Sequence, residues 1–293
     1  MMTPKEVLQK FEGIRTWGSG DKRAPHKPLL ILLALGSFQN NKKSLAYSEV
    51  DEKLTSLLEE FGSSKNQRPF YPFVRLANDH IWAFDKPELI ESYKGEDPGR
   101  PFLLDKDIHA GFAPAIIDAF KQYPTLIYEV AQYILDSNFS ESIHNDILSS
   151  VGLDFETRNQ KRKPRDQKFR EKILIAYEYQ CAVCGFNLRL SNHSIALDAA
   201  HIKWHQAGGP DTEVNGLALC TLHHKLLDLG AFKLNENLAV VVSERVNGTI
   251  GLEEWLLRFH NKEIRFPQSK KYYPEPEYVV WHWREVFKGY GRD

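Results

Sequence analysis

All three cysteines of the chain fall between Cys181 and Asp228, together with a pair of adjacent histidines. The order is Cys181-x-x-Cys184, then Asp198-Ala-Ala-His201, then Asn215, then Cys220-x-x-His223-His224. Cys181, Cys184, Cys220 and His223 make two x-x-separated pairs. That is the donor set and spacing of a closed tetrahedral Zn2+ site. An odd number of cysteines argues against a disulfide framework, and no βαβ context surrounds Cys181 to suggest a redox pair. Burial of the cysteines as separate small apolar residues would leave their paired spacing unexplained. His201 and His224 lie outside this set and are free to form a second, open site. Imidazoles beside an open cation position could support metal-assisted hydrolysis of a phosphodiester.

The intervening residues indicate how such a site would be positioned. Ser194-Ile-Ala-Leu-Asp-Ala-Ala-His201 suits a strand ending at His201. Gly208-Gly209-Pro210-Asp211 marks a long turn, and Asn215 to Cys220 reads as loop and short strand. From His223 a short helix is expected, stopped by Gly230. This ββα segment resembles the HNH nucleases, the ββα-metal endonucleases, and within them the McrA-like branch. The resemblance rests on Ala199-Ala200-His201-Ile202, on Asn215-Gly216-Leu217-Ala218-Leu219-Cys220 and on His223-His224-Lys225-Leu226-Leu227-Asp228. It places the three family letters on His201, Asn215 and His224. It implies His201 as general base, usable as a neutral imidazole near pH 7. It implies His224 as a ligand of a catalytic Mg2+ or Mn2+. Asn215 would hold the ring or its loop.

The chain departs from the family pattern at Ala200, where many members carry an Asp or His that binds the metal. Asp198 lies on the same strand face as position 200. It is expected to supply the missing carboxylate for the catalytic divalent ion, directly or through water. A nuclease fold kept only for binding is the alternative, since fold does not dictate function.

Composition bounds the rest. At 293 residues and 42% hydrophobic content the chain suits two globular domains. No apolar run reaches membrane-spanning length, and the segment from Pro28 to Gly36 is far too short. The expected compartment is a reducing cytoplasm without a membrane association, where thiolates persist as metal ligands. The net charge of −1 is unevenly spread. Residues 1–155 hold 17 Lys/Arg against 22 Asp/Glu; residues 156–293 hold 21 against 17. The basic half carries the nuclease motif. The expected organisation is a DNA-recognition domain over 1–155, a basic linker over 156–170 and an HNH endonuclease domain over 171–293.

In the first half, helices are expected over Thr3 to Phe11, His26 to Phe38 and Ser48 to Phe61, and again over Pro114 to Phe120 and Thr125 to Leu135. Pro72 to Leu76 and His80 to Phe84 read as a hairpin turning at Asn78-Asp79. The expected fold class is therefore α+β: a winged-helix-like N-terminal domain and a ββα-metal (HNH) C-terminal domain with a structural zinc. The aromatic tail near Tyr278 to Phe287 is expected to be a helix packed on the nuclease core.

Two N-terminal motifs complete the reading: Arg23-Ala-Pro-His26-Lys27-Pro28-Leu-Leu, and Phe70-Tyr71-Pro72-Phe73-Val74-Arg75-Leu76. With an HNH segment behind them they resemble the sulfur-binding domain of phosphorothioate-dependent restriction endonucleases. The resemblance implies double-stranded, phosphorothioated DNA as partner. A shallow cavity of the Tyr71 and Pro72 rings would accept weakly hydrated sulfur and leave a hydrated oxygen underpaired. His26, Lys27, Arg75 and, by position, Arg100 would hold the backbone and read base edges. The whole then reads as a modification-dependent (type IV) restriction endonuclease, with a homodimer expected because a two-strand break needs two active sites. The alternatives are an HNH nuclease dependent on another mark such as methylcytosine, or a non-catalytic zinc-stabilised DNA-binding protein.

Overall fold

A computed structural model describes residues 2–14, 23–62, 67–93, 97–153 and 167–292. The chain divides into two compact units, Met1–Arg158 and Asn159–Asp293. Of the expected basic linker over 156–170, the part up to residue 166 lies outside the described residues.

In the first unit, α1 (Pro4–Glu12) opens on a reciprocal cap. Thr3 Oγ1 accepts from the Glu6 amide, and the Glu6 carboxylate accepts from the Thr3 amide at 2.7 Å. In α2 (His26–Gln39) every residue from Pro28 to Gly36 is buried, as an all-round apolar helix requires. β1 (Leu45–Ala46) leads into α3 (Tyr47–Phe61), whose buried stripe is Val50, Leu54, Leu57, Leu58 and Phe61. Then come α4 (Phe70–Arg75), β2 (Trp82–Phe84), α5 (Pro87–Glu91), α6 (Arg100–Asp105) and β3 (His109–Phe112). α7 (Pro114–Gln122), α8 (Leu126–Asn138) and α9 (His144–Ser150) follow. The three strands form one antiparallel sheet in the order β1-β3-β2, with Leu45 opposite Ala110 and Trp82 opposite Phe112. Phe11, Phe112 and Phe120 meet edge-on or stacked over this sheet.

The expected hairpin over Pro72 to Phe84 is not what forms. Phe70–Arg75 is helical, Leu76–Asp79 is a 3-10 turn, and His80 takes the left-handed conformation at φ 57°. Only Trp82–Phe84 is a strand, and it pairs with β3. The aromatic and β-branched residues pointed to a strand, but they do not alternate. Pro72, Phe73, Val74 and Leu76 are all buried, a pattern that a helix in contact with α2 and α3 can satisfy and a two-sided strand cannot. Pro72 is tolerated because it stands in the first turn, where its missing N–H would have had no helical partner.

The second unit begins with α10 (Gln167–Ala176) and a small hairpin, β4 (Arg189–Leu190) with β5 (His193–Ser194). β6 (Leu197–His201) pairs antiparallel with β7 (Gly216–Cys220), Leu197 opposite Cys220 and His201 opposite Gly216. α11 (Thr221–Asp228) follows directly, so the ββα unit expected from sequence is present. It ends where Gly230 turns at φ 74°; a Cβ there would lie 2.1 Å from the Val286 carbonyl oxygen. β8 (Phe232–Leu234) and β9 (Val240–Val242), α12 (Leu252–Trp255) and α13 (Pro276–Glu285) complete the unit. The aromatic tail is the helix α13. It buries Val279 and Trp281 and packs Tyr278 and Trp283 against the core.

Candidate functional site

Because α11 runs straight on from β7, Cys220, His223 and His224 follow one another at the strand–helix junction, and the Ala182 amide donates to the Ala218 carbonyl of β7, which brings the Cys181–Cys184 knuckle alongside. Cys181, Cys184, Cys220 and His223 present ligand atoms that all lie within 4.8 Å of one another. Cys184 Sγ is 3.9 Å from Cys220 Sγ, and His223 Nδ1 is 3.7 Å from Cys181 Sγ and 3.1 Å from Cys220 Sγ. Zinc–sulfur bonds of about 2.3 Å in a tetrahedron put sulfurs about 3.8 Å apart, so the cluster has the size of such a site. His223 Nε2 donates to the Trp255 carbonyl at 2.8 Å, which leaves Nδ1 as the ligand atom.

Hydrogen bonds from Cys184 and Cys220 pull the Cys181 thiol far down, while the donating Cys184 is pushed up. Burial presses the His223 imidazole down, but the Cys181 and Cys220 sulfurs more than offset it and raise it to about 9. Among the described residues this is the group of three or more His, Cys, Asp or Glu side chains placed to hold a metal, and it is compatible with zinc.

His201 ends β6 and is largely enclosed. Phe169 of α10 stacks on its ring at 4.1 Å between centroids and 17° between planes. Its Nε2 lies 2.7 Å from Asp211 Oδ1. Burial drives its pKa below the ordinary imidazole value, and Asp211 only partly opposes this. A neutral imidazole is therefore the resting form at neutral pH, as a general base requires.

Asn215 is fully buried and does not reach His201 by any contact that would orient the ring. Its amide clamps the turn instead: Oδ1 accepts from the Lys203 amide at 2.9 Å, and Nδ2 donates to the Lys203 and Pro210 carbonyls at 3.0 Å each. Gly209 makes this closure possible, since a Cβ there would sit 1.8 Å from the Lys203 oxygen.

His224, in the first turn of α11, pairs through Nε2 with Asp228 Oδ2 at 3.2 Å, one helical turn on. Asp228 is 3% exposed and also accepts from Trp204 Nε1 at 2.8 Å. Asp198 is held differently. Its Oδ1 receives the Arg170 Nε at 3.2 Å and the Ala199 amide at 2.9 Å. From sequence Asp228 closed the HNH motif without a role, and Asp211, Phe169 and Arg170 were given none. Asp228 had a usable signal in its four-residue spacing from His224; Asp211 lay in a turn with no periodicity to flag it.

In the first unit, Tyr71 and Pro72 sit side by side in α4, Pro72 buried and Tyr71 partly exposed. Arg75 lies over the Tyr71 ring at 4.6 Å and is ion-paired to Asp97 at 2.7 Å. Arg68 is a second cation at that ring, 5.9 Å from its centroid. His26 and Lys27 open α2, and Lys27 Nζ meets Asp79 Oδ2 at 2.5 Å, just past the end of α4. Arg100 opens α6 and pairs with Asp51 of α3 at 2.8 Å. Lys27 and Arg75 thus lie on contacting elements, α2 and α4, while Arg100 on α6 is tied to α3, which also packs against α4.

The geometry of the second unit, a ββα element carrying His201, Asn215 and His224 beside a Cys3His cluster, defines the HNH class. A family model for HNH endonucleases matches residues 181–235. A second, described as "ScoMcrA-like, DNA sulfur-binding domain", matches residues 4–156, just over half of the chain. The chain belongs to this ScoMcrA-like DNA sulfur-binding domain family and carries an HNH domain behind it. Among solved structures it is similar to the sulfur binding domain of SprMcrA complexed with phosphorothioated DNA, at 20% identity and a TM-score of 0.44, covering 52% of this chain and 95% of that one. It is also similar to the type IV phosphorothioation-dependent restriction endonuclease ScoMcrA, at 19% identity and a TM-score of 0.42, covering 52% of this chain and 28% of that one. A further match is the modification-dependent TagI restriction endonuclease, at 22% and 0.30, covering 42% of this chain and 38% of that one. No curated protein matches. Among the described residues no helix is long and apolar enough to cross a membrane.

Proposed function

We propose that this protein is a modification-dependent (type IV) restriction endonuclease that binds phosphorothioated double-stranded DNA and hydrolyses a nearby phosphodiester. One observation carries the reading. A sulfur-binding-domain match over 4–156 stands in the same chain as a site where His201 and His224 are each backed by a carboxylate.

In this reading residues 1–155 recognise the mark, 156–170 link, and 171–293 cut. The ion in the Cys181, Cys184, Cys220 and His223 cluster is zinc, held for structure in a closed site. His201 takes a proton from the attacking water as the P–O bond to the leaving 3′ oxygen breaks. Asn215 keeps the turn beside it rigid. His224 offers a ring nitrogen for a catalytic divalent ion, and Asp198 would supply a carboxylate to it directly or through water, while Asp228 backs His224. A bound Mg2+ or Mn2+ would neutralise charge on the phosphate and the leaving oxygen. So few protein donors suit such an ion, which keeps several waters and relies on substrate phosphate oxygens. A homodimer would bring two sites to the two strands, and a reducing cytoplasm suits the zinc thiolates. The winged-helix-like description of the first domain has lost its hairpin, and the reading does not depend on it.

The decisive experiment compares two plasmids of identical sequence, one phosphorothioated and one not, in Mg2+ and in Mn2+. The modified plasmid should be cut and the plain one spared. Equal cleavage of both would move the reading to an HNH nuclease without sulfur dependence, and cleavage of neither in any metal would leave a binding protein.

Recognition has its own test. The Tyr71 ring contributes apolar area that sulfur can use and a hydrated phosphate oxygen cannot. Tyr71→Ala should weaken binding to a phosphorothioated duplex by roughly 10- to 100-fold, the ~1.5–3 kcal/mol expected for a side chain that the bound DNA covers. Binding to the plain duplex, measured in parallel by fluorescence anisotropy, should hardly change. An equal loss on both duplexes would argue against a sulfur cavity.

A further inference from the structure

We infer that Asp211 is the positioning residue for His201, fixing the ring so that Nε2 carries the proton and Nδ1 faces the reaction as the basic nitrogen. The inference rests on the nuclease reading for its chemistry, and on geometry alone for the orientation. His201 Nε2 and Asp211 Oδ1 are 2.7 Å apart. An ionised carboxylate can only accept, so the imidazole must donate through Nε2, and its one lone pair is then on Nδ1.

The surroundings permit few alternatives. Phe169 covers one face of the ring in near-parallel contact, which keeps the imidazole from tipping to that side. Asp211 is itself held in place because Asn215 grips the turn through the Pro210 carbonyl, one residue before it, and through both backbone groups of Lys203. Asn215 therefore acts on His201 at one remove, through the turn that carries Asp211. The other oxygen, Oδ2, faces His205, whose Nε2 is 4.0 Å away on an exposed side chain. Among the described residues no side chain comes nearer to Oδ2, so the carboxylate is not diverted from His201. His223 and His224 likewise direct Nε2 at an oxygen, His223 with its Nδ1 turned to the cysteine sulfurs.

The test uses the full-length, zinc-loaded protein with 15N-labelled histidine. Long-range proton–nitrogen spectra should place the His201 proton on Nε2. Asp211→Asn, whose amide can donate to the ring, should mix or invert the tautomer and lower kcat on a phosphorothioated duplex by about 10²-fold, with KM nearly unchanged. Asp211→Glu should restore the Nε2–H tautomer and part of the rate. A wild-type His201 protonated on Nδ1 would overturn the inference. So would an Asp211→Asn protein with unchanged tautomer and rate. Should Asp211→Asn misfold by its amide fingerprint, the wild-type and Asp211→Glu spectra still decide. A wild-type protein that cuts no DNA would count against the nuclease reading alone and leave the tautomer result standing.

Discussion

His201→Ala should reduce cleavage of phosphorothioated DNA by roughly 10²–10⁴-fold, the range lost with a general base, while binding of the same duplex stays within a factor of about two. The two effects separate because His201 belongs to the second unit and the proposed sulfur cavity at Tyr71 and Pro72 to the first. The pH dependence follows from the same residue. Burial is the largest influence on His201 and disfavours its charged form; Asp211 opposes it but does not cancel it. A base with a depressed pKa stays neutral further into acid. The acid limb of the rate profile should thus fall below the ordinary imidazole value of about 6.5, with activity lost as pH drops through it. Single-turnover cleavage across pH, with anisotropy for binding, measures both. His201→Gln, which keeps a planar side chain against Phe169, guards against misfolding of the alanine variant. Cutting retained within a few-fold by both variants would remove His201 from the reaction.

Removing the metal proposed for the Cys3His cluster should have a larger effect still, on folding itself. Structural zinc sites contribute an apparent ~10–16 kcal/mol, whereas whole domains are stable by only ~5–15 kcal/mol. Cys220→Ser, or prolonged treatment with a strong chelator, should therefore abolish the cooperative unfolding transition of the Asn159–Asp293 unit. The consequence reaches the HNH segment because Cys220 ends β7 and opens α11, and His223 stands beside His224. Losing the cluster frees the strand–helix junction on which the HNH side chains depend. The Met1–Arg158 unit has its own core and should keep its melting transition. Zinc content by elemental analysis, thermal melting by circular dichroism and limited proteolysis measure the outcome. A Cys220→Ser protein that binds no metal yet shows both native transitions would show that the cluster is not structural.

The contrast between sequence and structure follows from how far apart the interacting residues are. The Cys3His set was legible because its two pairs are local and their chemistry is narrow. The ββα order was legible because turn residues and apolar runs mark each element. The helices expected over Thr3 to Phe11 and Ser48 to Phe61 were equally local, since a reciprocal cap and a buried apolar stripe hold them. At Phe70 to Arg75 the local signal misled. Aromatic and β-branched content suggested a strand, but contact with α2 and α3 buried consecutive side chains and made a helix the better solution.

By itself, the sequence determined that a closed four-ligand cluster flanks a His201, Asn215 and His224 constellation, and that residues resembling a sulfur-binding domain precede it. Only the tertiary structure decided which groups hold those side chains. It gave Asp211 to His201, Asp228 to His224, Arg170 to Asp198 and the 203–210 turn to Asn215. The physical reason is that an imidazole's orientation and basic nitrogen are set by whatever oxygen its other nitrogen meets. For His201 that oxygen comes from a turn ten residues away, closed on a buried amide, where no spacing rule along the chain could have found it.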